Sequence, residues 1–100
     1  FEEARTILRE MIDFCIERNL CPVIVSTPMT SNLRSKFSPD DWSFLVIDFV
    51  KAIDRDVLFF DYSDNEELKD SQLYFNALFL NKKGRSIFTR KFLSDLSVYS

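Results

Sequence analysis

The hydrophobic positions of this chain form three helix-like stretches separated by two short apolar runs. In the first 18 residues, apolar side chains recur every three or four positions and charged ones fill much of the other side, which predicts an amphipathic helix. Asn19 and the Cys21-Pro22 pair end this pattern. The next segment, 22–27 (PVIVST), is apolar and β-branched, which predicts a short strand buried on both faces.

A second helix is predicted after the loop 28–37, whose Pro, Ser, Thr and Asn content is typical of an irregular connection. Ser38 is a favourable N-cap, Pro39 is tolerated in the first turn, and two carboxylates follow near the positive end of the helix dipole. We expect this helix to span about 39–54.

The second half of the chain predicts another strand and a third helix. The run 57–63 (VLFFDYS) is apolar and aromatic, which favours a second buried strand. The acidic stretch 64–72 predicts a solvated loop or a short helical turn, and the helical pattern resumes at Asn81 and continues to about Leu96.

The order of these elements indicates an α/β fold. Alternating helices and strands of this length predict a three-layer, flavodoxin-like arrangement in which helices flank a parallel sheet. Two strands are too few for such a sheet, since both would be edges. We therefore expect residues 1–100 to be a single α/β unit that forms the C-terminal part of a larger domain. Preceding sequence or self-association should cover the sheet edge.

Composition and charge narrow the choice of partners. The chain has 100 residues, 46% of them hydrophobic, with a formal net charge of -3 and an isoelectric point near 4.9. This balance argues against nucleic-acid binding, which normally needs a basic face. No apolar run reaches the roughly 18–20 residues of a membrane span, so no membrane segment is predicted. Cytoplasmic and cell-envelope locations are both compatible with this composition.

The sequence predicts neither a metal site nor a cofactor. Cys15 and Cys21 are the only cysteines, and the chain contains no His. We interpret both thiols as small buried hydrophobes, with a disulfide between them as the alternative. The acidic residues between 61 and 70 lack the spacing and the Gly of a calcium loop, so we interpret them as a solvated charge run.

The segment 76–84 (NALFLNKKG) resembles the last motif of the SGNH/GDSL hydrolase and acyltransferase superfamily. That motif reads Asp, two residues, His, then Leu or Pro, often Asn, two residues and Gly, at the start of the final helix. Here Leu80, Asn81 and Gly84 match its second half. The Asp and His positions hold Asn76 and Phe79 instead.

The segments PVIVSTP and FFDYSDNEELKDSQLYF are similar in layout to the C-terminal half of a bacterial branch of that superfamily, which includes the D-alanyl-lipoteichoic acid biosynthesis proteins. The resemblance implies an esterase- or acyltransferase-like protein acting on cell-envelope glycans or small esters. Phe79 cannot accept a proton from a serine nucleophile, and Asn76 offers less electrostatic support than Asp. We therefore predict that this chain is catalytically inactive. The alternative is a non-catalytic binding or scaffold module that retains the fold.

A candidate cleft follows from the predicted sheet. Ligands of parallel sheets bind outside the carboxyl ends of the strands, which places Pro28, Thr30, Asp61 and Asn81 near the site. Turn formation or capping is the competing interpretation for the first three. Phe79 is expected either to pack where a catalytic pair would stand or to form a wall of the cleft.

The location of the degenerate motif is a further prediction. Because Asn81 is expected to cap the third helix, Asn76, Phe79 and Asn81 should lie together at the C-terminal end of the second strand. They should also lie beside the loop 28–37.

Overall fold

The computed structural model describes residues 2–99 and divides the chain into two compact units. The first unit comprises the chain through Val25 together with Phe37–Phe60. The second comprises Ser26–Lys36 and the chain from Asp61 onward. Each unit draws on two separate stretches of sequence, so both depend on contacts between residues that are distant along the chain.

Helices and strands alternate along the chain. In order they are α1 (Glu2–Glu17), β1 (Val23–Ser26), α2 (Ser31–Arg34), α3 (Pro39–Trp42), a π-helical segment (Ser43–Ile47), α4 (Asp48–Lys51), β2 (Leu58–Asp61), two 3-10 turns (Glu66–Leu68 and Ser71–Leu73) and α5 (Lys82–Ser97). The strands β1 and β2 pair as a two-stranded parallel sheet. The predicted mixture of helices with a parallel sheet is therefore confirmed at this level.

The end of α1 lies where the sequence predicts it. Asn19 adopts a left-handed backbone conformation with φ of 59°, which Asn tolerates better than most residues. Its N–H donates to the Ile16 carbonyl at 3.1 Å, and the Leu20 N–H donates to the Cys15 carbonyl at 2.9 Å. These two bonds form a Schellman-type cap, which satisfies carbonyls that the helix leaves without partners.

The second predicted helix also begins as expected. The Ser38 hydroxyl oxygen accepts a hydrogen bond from the Asp41 N–H at 3.0 Å. Consecutive α, π and α segments carry the helix to Lys51, and Asp54, with φ of 57°, follows in a left-handed conformation. The helix therefore ends about one turn earlier than predicted.

Side chains of α1 connect it to the residues that follow α4. The Arg9 guanidinium donates to the carbonyls of Ile53 at 2.9 Å and Ala52 at 3.1 Å. Arg55 makes two hydrogen bonds to the Asp13 carboxylate, at 2.7 and 3.0 Å. Cationic donors near a helix C-terminus satisfy its free carbonyls, so Arg9 stabilises the end of α4 and its contact with α1.

The second unit has its own small core. Leu68, Leu73 and Tyr74 are buried, and Ile87 and Phe88 from α5 pack against them. The Tyr74 hydroxyl donates to the Leu68 carbonyl at 2.6 Å, so this buried phenol has a partner. The two 3-10 turns are therefore held against α5 by apolar burial and by a hydrogen bond.

Several predictions about burial and local structure are wrong. Neither strand is buried on both faces: all of β1 is half-buried and Asp61 in β2 is exposed, because a two-stranded sheet has few elements to cover it. The loop 28–37 contains the short helix α2. Cys21 lies beyond the end of α1 and is exposed, whereas Cys15 is half-buried, and both are free thiols.

Burial of the aromatic residues is uneven. Trp42 is in the core, with its ring 5.6 Å from that of Phe37 in an edge-to-face arrangement. Phe44, by contrast, is 61% exposed.

Among residues 2–99, no helix combines the length and apolarity that crossing a bilayer requires.

Candidate functional site

The residues between Tyr74 and Leu80 form a closed loop, which we call the 75–79 loop. Tyr74 and Leu80 pair as an isolated antiparallel bridge, and the Phe75 N–H donates to the Phe79 carbonyl at 2.8 Å. Inside the loop, the Asn76 side-chain oxygen accepts from the N–H groups of Leu78 at 2.9 Å and Phe79 at 3.0 Å. Asn76 therefore acts as a turn-forming residue, a role that Asn performs well.

This loop presents large apolar side chains at the surface. Phe75 is 74% exposed, Phe79 is 65% exposed and Leu78 is 54% exposed. Phe75, Leu78 and Phe79 are therefore surface residues. Their exposure follows from the closed loop, whose backbone bonds turn the chain within five residues and leave little interior for the side chains to enter.

The exposed residues border a pocket of about 520 Å³ within the second unit. That volume lies inside the range of roughly 300–1,000 Å³ typical of small-molecule sites. The polar lining residues are Thr27, Arg85 and Thr89. The apolar lining residues are Pro28, Phe75, Leu78, Phe79, Leu80 and Phe88. The pocket is therefore mostly apolar with a few polar groups, which is the usual character of a ligand site.

Arg85 is the one charged residue of this lining. Its Nη1 donates to the Leu80 carbonyl oxygen at 3.0 Å, which holds the guanidinium at the pocket wall. No ion pair links Arg85 to a carboxylate in the part of the chain that the structure describes. The pocket thus combines an apolar wall with a cation that lacks an internal counter-ion.

Asn81 fixes the start of α5 beside the pocket. Its side-chain oxygen accepts from the Gly84 N–H at 3.0 Å, which confirms the predicted N-cap. Its side-chain nitrogen donates to the Gln72 carbonyl at 2.7 Å, and its backbone N–H donates to the Leu73 carbonyl at 2.8 Å. Asn81 is not part of the pocket lining. It determines where Leu80 and Arg85 lie.

The structure separates the other predicted cleft residues. Pro28 is buried and lines the pocket together with Phe79. Thr30 is buried too, but its hydroxyl accepts from the Leu33 N–H at 3.3 Å and caps α2. Its own N–H donates to the Ala77 carbonyl at 3.2 Å. Residues 28–30 therefore support the 75–79 loop, and Pro28 is the member that reaches the pocket.

Asp61 forms a turn at the end of β2. One carboxylate oxygen accepts from the Ser63 N–H at 2.9 Å and from the Ser63 hydroxyl at 2.7 Å. Arg34 of α2 donates to the same hydroxyl at 3.3 Å, and Ser63 is buried. Asp61 therefore stabilises this corner of the second unit, and it is not among the pocket residues.

Two tyrosines of the second unit have raised pKa values. Burial, followed by a 2.6 Å hydrogen bond to the Asp95 carboxylate, raises the pKa of Tyr62 well above its usual value. Burial raises the pKa of Tyr74 to about 12. Both phenols are therefore neutral at physiological pH and act as hydrogen-bond donors rather than bases.

The acidic run is held by local interactions. Lys69 forms ion pairs with Asp64 at 3.1 Å and Glu66 at 2.9 Å. The Asp70 carboxylate accepts from the Gln72 N–H at 2.9 Å. Across residues 2–99, no group of three or more His, Cys, Asp or Glu side chains is arranged to hold a metal ion.

The cleft predicted from the sequence did not include the pocket residues Thr27, Phe75, Arg85 and Thr89. The available signal was the four-residue spacing of Arg85 and Thr89 just after a strong N-cap, which places both on one side of α5. No protein-family model, curated protein or solved structure shows a significant match to this chain.

Proposed function

We propose that this chain is a non-catalytic ligand-binding module related to SGNH/GDSL hydrolases and acyltransferases. Its ligand would be an apolar group such as the acyl part of a small ester. The observation that carries this proposal is the place of Phe79. In the SGNH/GDSL motif that residues 76–84 resemble, the catalytic His stands at this position. Here Phe79 stands there instead and forms part of the wall of a pocket of about 520 Å³.

The groups around the pocket favour binding over catalysis. Phe79 has no proton acceptor, and the Asn76 oxygen already accepts two backbone hydrogen bonds. The guanidinium of Arg85 carries N–H donors and no acceptor, so it cannot act as a general base. Proton removal from a serine or from water needs a base poised near neutral pH, and the chain has no His to supply one.

The fold we propose for the complete domain is the three-layer, SGNH-like α/β arrangement. Its support is the order β1, helices, β2, then α5, with the two strands parallel. In such folds the ligand lies outside the carboxyl ends of the strands. The pocket residues Thr27 and Pro28 directly follow β1, which agrees with that expectation.

Binding without turnover is the test of this proposal. We expect 4-nitrophenyl hexanoate to bind in the pocket, observed by NMR line broadening of the ligand, and to be hydrolysed no faster than in buffer. Phe79→Ala should weaken binding several-fold because it removes a wall of the pocket. Phe44→Ala is the matched control, since Phe44 is similarly exposed but lies in the first unit.

Two outcomes would contradict this function. Ester turnover that disappears when a single Ser is replaced would show an enzyme. Equal weakening by Phe79→Ala and Phe44→Ala would show general adsorption to apolar surface rather than a site.

A further inference from the structure

The pocket in the second unit has an uneven distribution of charge and apolar surface. Phe75, Leu78 and Phe79 are more than half exposed on one side, whereas Arg85 and Thr89 lie on α5. The chain as a whole is acidic, with 16 carboxylate and 13 basic side chains. A pocket whose single charged residue is a cation therefore differs from the average surface of this protein.

The guanidinium of Arg85 is oriented and has donors to spare. Its Nη1 bond to the Leu80 carbonyl uses one of the five N–H groups of an Arg side chain. No other side-chain hydrogen bond or ion pair of Arg85 occurs within residues 2–99. The remaining donors have the planar, forked geometry that suits a carboxylate.

Thr89 lies one helical turn after Arg85 and lines the same pocket. Residues four apart on a helix are neighbours on its surface, so the hydroxyl can add a hydrogen bond to an anion held by the guanidinium. An uncharged ligand would cover Arg85 without compensating its charge, which costs free energy. A ligand with an anion at one end and an apolar tail would satisfy both parts of the pocket.

We propose that the pocket selects amphiphilic monocarboxylates, with the carboxylate held by Arg85 and Thr89 and the alkyl or aryl tail held against Phe75, Leu78 and Phe79. This inference rests on the proposed binding function and adds the class of ligand. It makes Arg85 the specificity-determining residue of the pocket. One cation and one hydroxyl match a single carboxylate better than a polyphosphate, which usually needs several donors.

The probe pair is sodium octanoate and octan-1-ol, which share an alkyl chain and differ in the head group. Binding is measured by calorimetry or NMR titration at pH 7, at ligand concentrations that keep octanoate monomeric. We expect octanoate to bind at least ten-fold more tightly than octanol, which corresponds to about 1.4 kcal/mol. Arg85→Gln should remove this preference. Arg85→Lys should retain part of the preference for octanoate, because Lys keeps the positive charge but lacks the two parallel N–H donors of the guanidinium.

Lys83→Gln is the matched control. It removes one positive charge from the same exposed turn of α5 but lies outside the pocket lining. Thermal unfolding of each variant shows whether the fold is retained. Preserved octanoate preference in Lys83→Gln together with its loss in Arg85→Gln supports the assignment.

The remaining outcomes overturn the inference in distinguishable ways. Equal affinity for octanoate and octanol would refute carboxylate selection but leave the proposed apolar binding intact. Binding of neither probe would refute both. An equal loss in Lys83→Gln would show nonspecific attraction between charges. If octanoate binds only while an oligomer of the chain dissociates, a second copy of the chain fills the pocket in the free protein. That outcome would overturn the assignment of a carboxylate as the natural occupant.

Discussion

The backbone of Gly84 lies directly against the carbonyl oxygen of Leu73, and a β-carbon at Gly84 would collide with that oxygen. The same oxygen accepts a hydrogen bond from the Asn81 N–H at 2.8 Å, so it cannot move away without losing this bond. The Gly of the Leu-Asn-x-x-Gly pattern is therefore required by the packing of α5 against the second 3-10 turn. Its presence does not depend on catalysis.

Gly84→Ala should destabilise the protein despite a better helix propensity. Ala in place of Gly in a helix interior gains about 1 kcal/mol, whereas an extra carbon in a well-packed contact costs about 1–3 kcal/mol. Loss of the Asn81 hydrogen bond would add to this cost. We expect a lower free energy of unfolding in urea. Lys83→Ala, at an exposed position in the same turn, should be neutral or slightly stabilising, and a stabilised Gly84→Ala variant would contradict the contact.

Replacing the Asn81 cap should cost more than replacing an ordinary N-cap. Its side chain satisfies the Gly84 N–H and also the Gln72 carbonyl. Loss of a cap costs about 0.5–2 kcal/mol, and a further hydrogen bond contributes about 0.5–1.5 kcal/mol. We expect Asn81→Ala to lose both contributions and Asn81→Asp to lose only the bond to Gln72. Denaturant unfolding of the pair measures the difference, and equal losses would show that the second bond contributes nothing.

Introducing the Asp and His of the motif that residues 76–84 resemble should be structurally mild. Phe79 is 65% exposed, and Asp can keep the turn-forming acceptor role of Asn76. Exposed substitutions usually change stability by less than about 0.5 kcal/mol. We expect the Asn76→Asp, Phe79→His double variant to fold with nearly native stability and to hydrolyse no nitrophenyl esters. Acquired turnover would show that a nucleophile already lies beside the pocket.

Self-association is expected because both strands of the sheet are edges. Within residues 2–99, β1 and β2 pair with each other and with no third strand. Strand edges present unpaired N–H and carbonyl groups that template pairing with another chain. We expect the apparent mass in sedimentation velocity to rise with protein concentration. A constant monomer mass over the accessible range would exclude this prediction.

Local sequence signals predicted most of the element boundaries. Asn19, Ser38 and Asn81 act through their own side chains or backbone on residues three to five positions away, so each boundary could be predicted from a short stretch of sequence. The cap at Thr30 is of the same kind, but the sequence does not predict it, because the surrounding residues suit an irregular loop equally well.

The pocket could not be predicted in the same way. It joins residues that follow β1 with the 75–79 loop and α5, and these are about 50 positions apart in sequence. The exposure of Phe75 and Phe79 depends on a backbone bond between them that closes the loop. From composition alone, Phe residues are expected in the core. Composition carries no information about where the chain folds back into a closed loop, so it cannot predict that these side chains are exposed. The position of Phe79 beside Pro28, by contrast, follows the expected location of the motif next to the loop 28–37.

The buried phenol of Tyr62 gives the protein a defined response to alkaline pH. Its hydroxyl donates to Asp95 at 2.6 Å, and its ring packs edge-to-face on Phe88 at 5.2 Å between centroids. Deprotonation would place a phenolate in a buried position beside a carboxylate. For this reason the pKa of Tyr62 is raised, first by burial and then by the bond to Asp95.

The sign of the pH effect follows from this upward shift. A group whose pKa is higher in the folded state contributes stability that is fully present below its unfolded pKa, which is about 10 for Tyr, and that is lost as the pH rises towards the folded value. We expect the free energy of unfolding to fall steadily above about pH 10. Tyr62→Phe should cost about 1–2 kcal/mol at pH 7, because it leaves the Asp95 carboxylate without this donor. The Tyr62→Phe variant should also lose less stability than the native chain above pH 10.

Tyr74→Phe should likewise reduce the loss of unfolding free energy at alkaline pH, since the pKa of Tyr74 is raised to about 12. Urea unfolding at pH 7, 9, 10 and 11 measures both effects, and parallel pH profiles for Tyr62→Phe and the native chain would show that Tyr62 ionises as freely as in the unfolded state.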